Sequence, residues 1–115
     1  MNNPEMIDEI RRWFRANAHK LRAAPVFAKL RRSEIEDETL GIETLYKGGF
    51  DVKRENILAA FTVWGSGELQ VLIMDNETAQ EVIIDDRKIE KPEDMGPIFE
   101  HYCNQIRNGG PFTKY

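Results

Sequence analysis

The sequence is poor in cysteine and histidine: it has one cysteine, Cys103, and two histidines, His19 and His101, among 115 residues. A single cysteine cannot form an intramolecular disulfide. This excludes a secreted domain stabilised by disulfides and indicates a reducing compartment. One cysteine is also too few for a Cys-rich zinc site. Neither histidine belongs to an HExxH or HxxxH pattern, so we predict no metal site and ordinary surface or helix-end roles for both.

Long apolar runs are also lacking. No stretch approaches the roughly 20 apolar residues needed to span a bilayer. Charged residues interrupt every turn of the N-terminal segment, whereas a secretory signal has a continuous apolar stretch. We therefore expect a cytoplasmic protein.

Catalytic motifs are missing too. The chain has no serine nucleophile elbow before a helix, no P-loop and no dinucleotide-binding fingerprint. His101 and Cys103 are two residues apart on a predicted helix, where their side chains point in different directions, so we expect no nucleophile–base pair. The sequence predicts no catalytic residue, no cofactor and a non-enzymatic function, although an enzyme with an unrecognised site remains an alternative.

Charge is distributed unevenly along the chain. Residues 1–32 carry eight Lys/Arg and three Asp/Glu, whereas residues 33–115 carry eight Lys/Arg and seventeen Asp/Glu. The acidic part favours a cationic partner, although acidic side chains also serve as a solvated edge that resists aggregation. The arginines of the first helix suggest nucleic-acid binding. This interpretation is the weaker one, because the protein as a whole is acidic and the arginines alternate with an apolar stripe.

The apolar period changes from helical to alternating and back. It predicts a helix at about Pro4–Leu21 that Pro25 ends, and a second helix at about Ile98–Arg107 after an irregular turn at Pro92–Gly96. A tail follows at residues 111–115. Between Pro25 and the sheet, a short helical turn is expected, formed by Val26, Phe27 and Leu30.

Alternating residues in the middle predict about four antiparallel strands. The first covers residues 40–46 and ends at a Gly48–Gly49 turn, and residues 50–55 form either a loop or an extra short strand. A hairpin of residues 57–64 and 69–73 turns at Gly65–Ser66–Gly67. After a turn at residues 75–78, a short strand at residues 81–84 is closed by Asp85–Asp86.

These elements form an α+β fold, with an N-terminal helix, an antiparallel sheet and a C-terminal helix in a single domain, residues 1–115. One face of the sheet lies under the helices and the other faces water. Seven residues on the apolar stripes form the expected core: Trp13, Phe14, Phe61, Val71, Ile73, Phe99 and Tyr102.

The central stretch resembles a known family. The segments Leu40–Glu43, Phe61–Trp64 with Gly65 and Gly67, and Leu69–Ile73 followed by Asp75 and Glu77–Thr78 are similar to small immunity proteins of the TriTu type. These proteins accompany contact-dependent growth-inhibition toxins. The resemblance covers roughly residues 35–85, and departs from the family at Ala79–Gln80, where a glycine is expected, and at the charged segment 51–55.

The resemblance implies a non-enzymatic inhibitor that binds the RNA-cleaving (tRNase) C-terminal domain of a toxin and blocks its active or substrate-binding site. The family name also points to elongation factor Tu as a third component. A small adaptor or subunit of an intracellular assembly is the alternative. The predicted partner-binding residues lie on or beside strands and turns: Glu43, Trp64, Glu68, Asp75, Glu77, Asp85 and Asp86. For Trp64, packing over Gly65 or Gly67 and under a neighbouring strand is the slightly favoured interpretation.

Overall fold

A computed structural model describes residues 4–36 and 45–115 of the chain. In chain order, the described elements are α1 (Pro4–Leu21), β1 (Val26–Glu36), β2 (Leu45–Arg54), β3 (Ile57–Trp64), β4 (Glu68–Asp75), β5 (Gln80–Lys88), a 3₁₀ turn (Pro92–Asp94) and α2 (Met95–Arg107). This confirms the predicted α+β arrangement, with five strands in place of about four. None of the described helices combines the length and the apolar character needed to cross a membrane.

The five strands form one antiparallel meander in the order β1-β2-β3-β4-β5. Both helices pack on the same face of this sheet, and an aromatic cluster lies between the helices and that face. The rings of Phe50 and Phe61 stack with centroids 4.6 Å apart, and Phe99 meets Phe61 edge-on at 5.8 Å. All seven predicted core residues are buried, which confirms the predicted faces of the helices and strands.

The short helical turn predicted after Pro25 is wrong. Val26 and Leu30 belong to β1, which pairs with β2 from Val26 opposite Arg54 onward. Alternate residues of β1 reach the core layer, while Phe27 points the other way and is 65% exposed. Three apolar residues were too few to distinguish a helical period from an alternating one.

The predicted Gly48–Gly49 turn is also wrong, because both glycines lie within β2. Gly49 pairs with Thr62 on β3 and with Arg31 on β1. A Cβ atom at Gly49 would lie only 2.0 Å from the carbonyl oxygen of Phe61. The glycine therefore provides space for the Arg31 side chain to cross the sheet, and β2 continues through residues 50–54.

Other boundaries differ more modestly. The strand predicted at residues 40–46 lies largely outside the described residues; Leu45 and Tyr46 begin β2. Asp85–Asp86 does not close the last strand, because β5 continues to Lys88. Helix α2 begins at Met95, directly after the 3₁₀ turn.

The segment 111–115, predicted as a tail, packs back on α2. Phe112 contacts the core, and the backbone amide of Thr113 donates to Oε1 of Gln105 at 3.1 Å. His101 Nε2 lies 2.7 Å from the carbonyl oxygen of Thr113.

Candidate interaction surface

The helices leave one face of the sheet uncovered by any other described element, and we call it the open face. In β3, Ala59, Phe61 and Val63 turn toward the helices, so the intervening residues turn away from them. The strand register brings the following side chains together on the open face: Phe27, Lys29, Arg31, Asp51, Lys53, Leu58, Ala60, Thr62, Trp64, Glu68, Gln70, Leu72, Met74, Ile84, Asp86 and Lys88.

The middle of the open face is apolar. Leu72 of β4 lies opposite Ala60 of β3 on one side and Ile84 of β5 on the other, and Leu58 lies opposite Met74. Ile84 is 40% exposed and the other four are half-buried. These five residues, Leu58, Ala60, Leu72, Met74 and Ile84, are called the apolar centre. It is a contiguous apolar row on a solvent-facing surface.

A polar depression of about 450 Å³ adjoins the apolar centre and is lined by Trp64, Glu68, Leu69, Gln70, Asp86, Arg87 and Lys88. The hairpin turn beside it depends on Gly67, whose φ of 95° favours glycine. Lys88 Nζ donates to the carbonyl oxygen of Ser66. Glu68 and Asp86 are exposed and, within the described part of the chain, their side-chain carboxylates form no hydrogen bond or ion pair. Both carboxylates are therefore available to a partner.

Three of the predicted binding residues, Trp64, Glu68 and Asp86, thus meet at this depression. The others lie elsewhere. Glu77 is exposed on the β4–β5 turn at the far end of the hairpin, and Glu43 lies outside the described residues.

Asp75 organises that far turn. Its Oδ1 accepts hydrogen bonds from Asn56 Nδ2 at 2.7 Å and from the backbone amides of Glu77 at 2.9 Å and Thr78 at 3.4 Å. The hydrogen bond from Asn56 is the main reason that the pKa of Asp75 is lowered. The carboxylate therefore joins the β2–β3 and β4–β5 turns.

Asp85 faces the helices and is only 5% exposed. Burial by itself raises the pKa of this carboxyl, but hydrogen bonds from Arg87 and Tyr102 outweigh it, so the pKa of Asp85 is lowered. Arg87 donates to both carboxylate oxygens, at 3.0 Å from Nε and 2.8 Å from Nη2. The Asp85 side chain consequently lies in the interior and is not presented on the open face.

The apolar centre was not predicted from the sequence. The signal for it lies in β4, where apolar residues occupy both alternating sets: Val71 and Ile73 face the helices, and Leu72 and Met74 face the opposite way. An alternating pattern predicts one buried face and one solvent-exposed face, and this accounts only for the first set.

The described residues contain no group of three or more His, Cys, Asp or Glu side chains that could hold a metal ion. Cys103 is buried, and its burial raises the pKa of the thiol. Because the thiolate is the nucleophilic form, this environment does not activate the cysteine.

Comparison with protein families agrees with the resemblance. The family model described as Immunity protein TriTu matches residues 8–104, a range that runs from α1 through most of α2. Comparisons with curated proteins and with solved structures gave no match. The family match covers most of the sequence and includes every described strand, and the chain therefore belongs to the TriTu family of immunity proteins.

Proposed function

We propose that this immunity protein binds and neutralises the RNA-cleaving (tRNase) C-terminal domain of a contact-dependent growth-inhibition toxin, in the cytoplasm and without catalysis of its own. Inhibition comes from covering the active or substrate-binding site of the nuclease. Membership of the TriTu family is the observation that carries this proposal.

The charge of the β4–β5 hairpin supports a basic partner. Residues 68–88 contain six Asp/Glu and two Lys/Arg. A nuclease binds the phosphates of its substrate through Lys and Arg. A negative hairpin attracts such a surface over distance and competes with RNA for it.

The predicted contacts divide into two groups by geometry. Glu68 and Asp86 offer free carboxylates, and Trp64 lines the same depression as an aromatic anchor. Glu77 adds negative charge at the far turn, and Glu43 stays a candidate from the sequence. Asp75 and Asp85 already accept internal hydrogen bonds, so we assign them to positioning the turn and the strand.

Elongation factor Tu is proposed as a third member of the complex, on the strength of the family name. Size-exclusion chromatography of the mixed components tests this point. Co-elution of all three proteins supports it, and a toxin–immunity complex that excludes elongation factor Tu contradicts it.

A binding measurement with the proposed cognate nuclease domain tests the proposal. Glu68→Lys/Asp86→Lys should slow association and weaken the complex by about tenfold or more, with the largest effect at low salt. Glu93→Lys/Glu100→Lys is the matched control, because it makes the same charge change at exposed positions beside and on α2. Absence of a complex between the wild-type proteins at low salt overturns the proposal.

A further inference from the structure

The apolar centre is a feature that charge attraction alone does not use. Ile84 is 40% exposed, and Leu72 lies opposite it on β4 with Met74 two residues further along the strand. A protein interface characteristically has a desolvated apolar core with a polar rim. The open face has both parts, since the polar depression, with the carboxylates of Glu68 and Asp86, continues directly from the row that contains Leu72 and Ile84.

We infer that the open face seats the toxin domain, with the apolar centre forming the dry core of the interface and with Glu68 and Asp86 meeting cationic side chains at its rim. This inference rests on the proposed function. The partner chemistry is specific: an apolar patch on a basic protein, bordered on one side by Lys or Arg.

The apolar centre favours the open face over the exposed side of α1 as the docking surface. The apolar stripe of α1 is buried in the core. The exposed side of α1 instead carries charges of both signs, at Glu5, Asp8, Arg12, Arg15 and Lys20. This described surface therefore offers no contiguous apolar patch that could form the dry core of an interface.

The charges of the open face also set the orientation of the partner. Glu68 and Asp86 lie at the β4–β5 side, whereas Lys29 and Lys53 are exposed beside Phe27 at the β1–β2 side. The basic border of the toxin therefore belongs over β4 and β5, because the opposite placement would set it against the lysines.

Addition of a partner strand to the edge of β5 is less compatible with the structure. The β4–β5 register shifts between Ile73 and Met74, which marks an irregularity in the ladder. Asp85 and Arg87 also point inward from this strand. Bulges and inward-pointing charges are devices that protect an edge from strand pairing. The partner is thus expected on the face of the sheet rather than at its edge.

A substitution that adds negative charge to the apolar centre distinguishes docking on that surface from electrostatic attraction alone. Ile84→Glu increases the attraction for a basic toxin, but it places a carboxylate in the dry core. We expect it to raise the dissociation constant by about tenfold or more. Ala16→Glu is the control, because it adds the same charge at an exposed position of α1 and should leave the dissociation constant within about twofold.

Methyl NMR of the wild-type protein provides a measurement that needs no variant. On addition of the toxin domain, the methyl signals of Leu72, Met74 and Ile84 should shift or broaden, and the buried Ile10 of α1 should change little. This result decides the matter if Ile84→Glu does not fold.

The possible outcomes distinguish the two proposals. If wild-type protein binds and inhibits the toxin while Ile84→Glu binds as well as Ala16→Glu, or while the open-face methyl signals stay unchanged, the docking face is wrong and the proposed function stands. If wild-type protein does not bind the toxin, the proposed function fails and the docking inference falls with it.

Discussion

The hydroxyl of Tyr102 on α2 donates a hydrogen bond to the carboxylate of Asp85 on β5. Arg87 donates to the same carboxylate, and the backbone amide of Tyr115 donates to the Tyr102 oxygen at 3.0 Å. One buried acid therefore connects the edge strand, the second helix and the C-terminal segment. Asp86, its neighbour in sequence, faces the opposite side and is exposed.

Asp85→Asn should destabilise the protein, whereas Asp86→Asn should not. The first substitution weakens charge-assisted hydrogen bonds in a buried site, which we expect to lower the free energy of unfolding by about 1.5–3 kcal/mol. The second changes an exposed carboxylate and should stay within about 0.5 kcal/mol. Urea denaturation of the two variants measures the difference. Equal effects would show that Asp85 has no special structural role.

The same network predicts a stability that falls at both ends of the pH scale. The pKa of Asp85 is lowered in the folded protein, so its contribution is present above the unfolded pKa and is lost as the pH falls through the lowered value. Burial, followed by the neighbouring Asp85, raises the pKa of Tyr102 to about 12. Its contribution is complete below the unfolded pKa of about 10 and is lost as the pH rises through the folded value.

Urea midpoints measured across the pH range test this pair of assignments. Asp85→Asn should flatten the acid side of the profile, and Tyr102→Phe should flatten the alkaline side. If the pH profiles of both variants keep the acid and alkaline slopes of the wild-type protein, the assignments are contradicted.

Phe61→Ala should be among the most destabilising substitutions in the sheet. Phe61 is fully buried and stacks on Phe50, so truncation leaves a cavity that costs roughly 3–5 kcal/mol if it cannot collapse. Phe27→Ala is the matched control, because Phe27 is 65% exposed on the open face. Thermal or urea unfolding should separate the two clearly, and similar losses would refute the assigned strand faces.

Gly49→Ala and Gly96→Ala should have opposite effects. A methyl group at Gly49 would meet the Phe61 carbonyl oxygen, and relief of that overlap should cost about 1–3 kcal/mol or more. At Gly96 on α2, the added Cβ lies 3.6 Å from Trp13, an ordinary contact, and alanine favours the helix by up to about 1 kcal/mol. If Gly49→Ala proves as stable as wild type, the close approach of β2 and β3 is wrongly described.

Local periodicity was sufficient to predict both helices and the β3–β4 hairpin. Trp13 and Phe14 recur with the other apolar residues of α1, and Phe61 alternates with polar or smaller neighbours. The failures came from long-range contacts. Gly49 is a strand residue because Arg31, eighteen positions earlier, crosses it to reach the Phe61 carbonyl oxygen at 2.7 Å. No local rule connects those residues.

The candidate site was predicted only in part. Trp64, Glu68 and Asp86 were selected from sequence, and the fold brings them to one depression. Asp85 was predicted as a partner-binding residue together with Asp86, although residues 85 and 86 of one strand face opposite sides. Which of the two is exposed depends on register, and the register became visible only with Val71 opposite Asp85 and Gln70 opposite Asp86.

Titration of this protein into its proposed cognate nuclease domain, with RNA cleavage as the readout, tests the central claim most directly. We predict that cleavage falls to the background level once the immunity protein reaches equimolar amounts, because each bound molecule covers one nuclease site. Undiminished cleavage in the presence of excess folded protein would contradict the account.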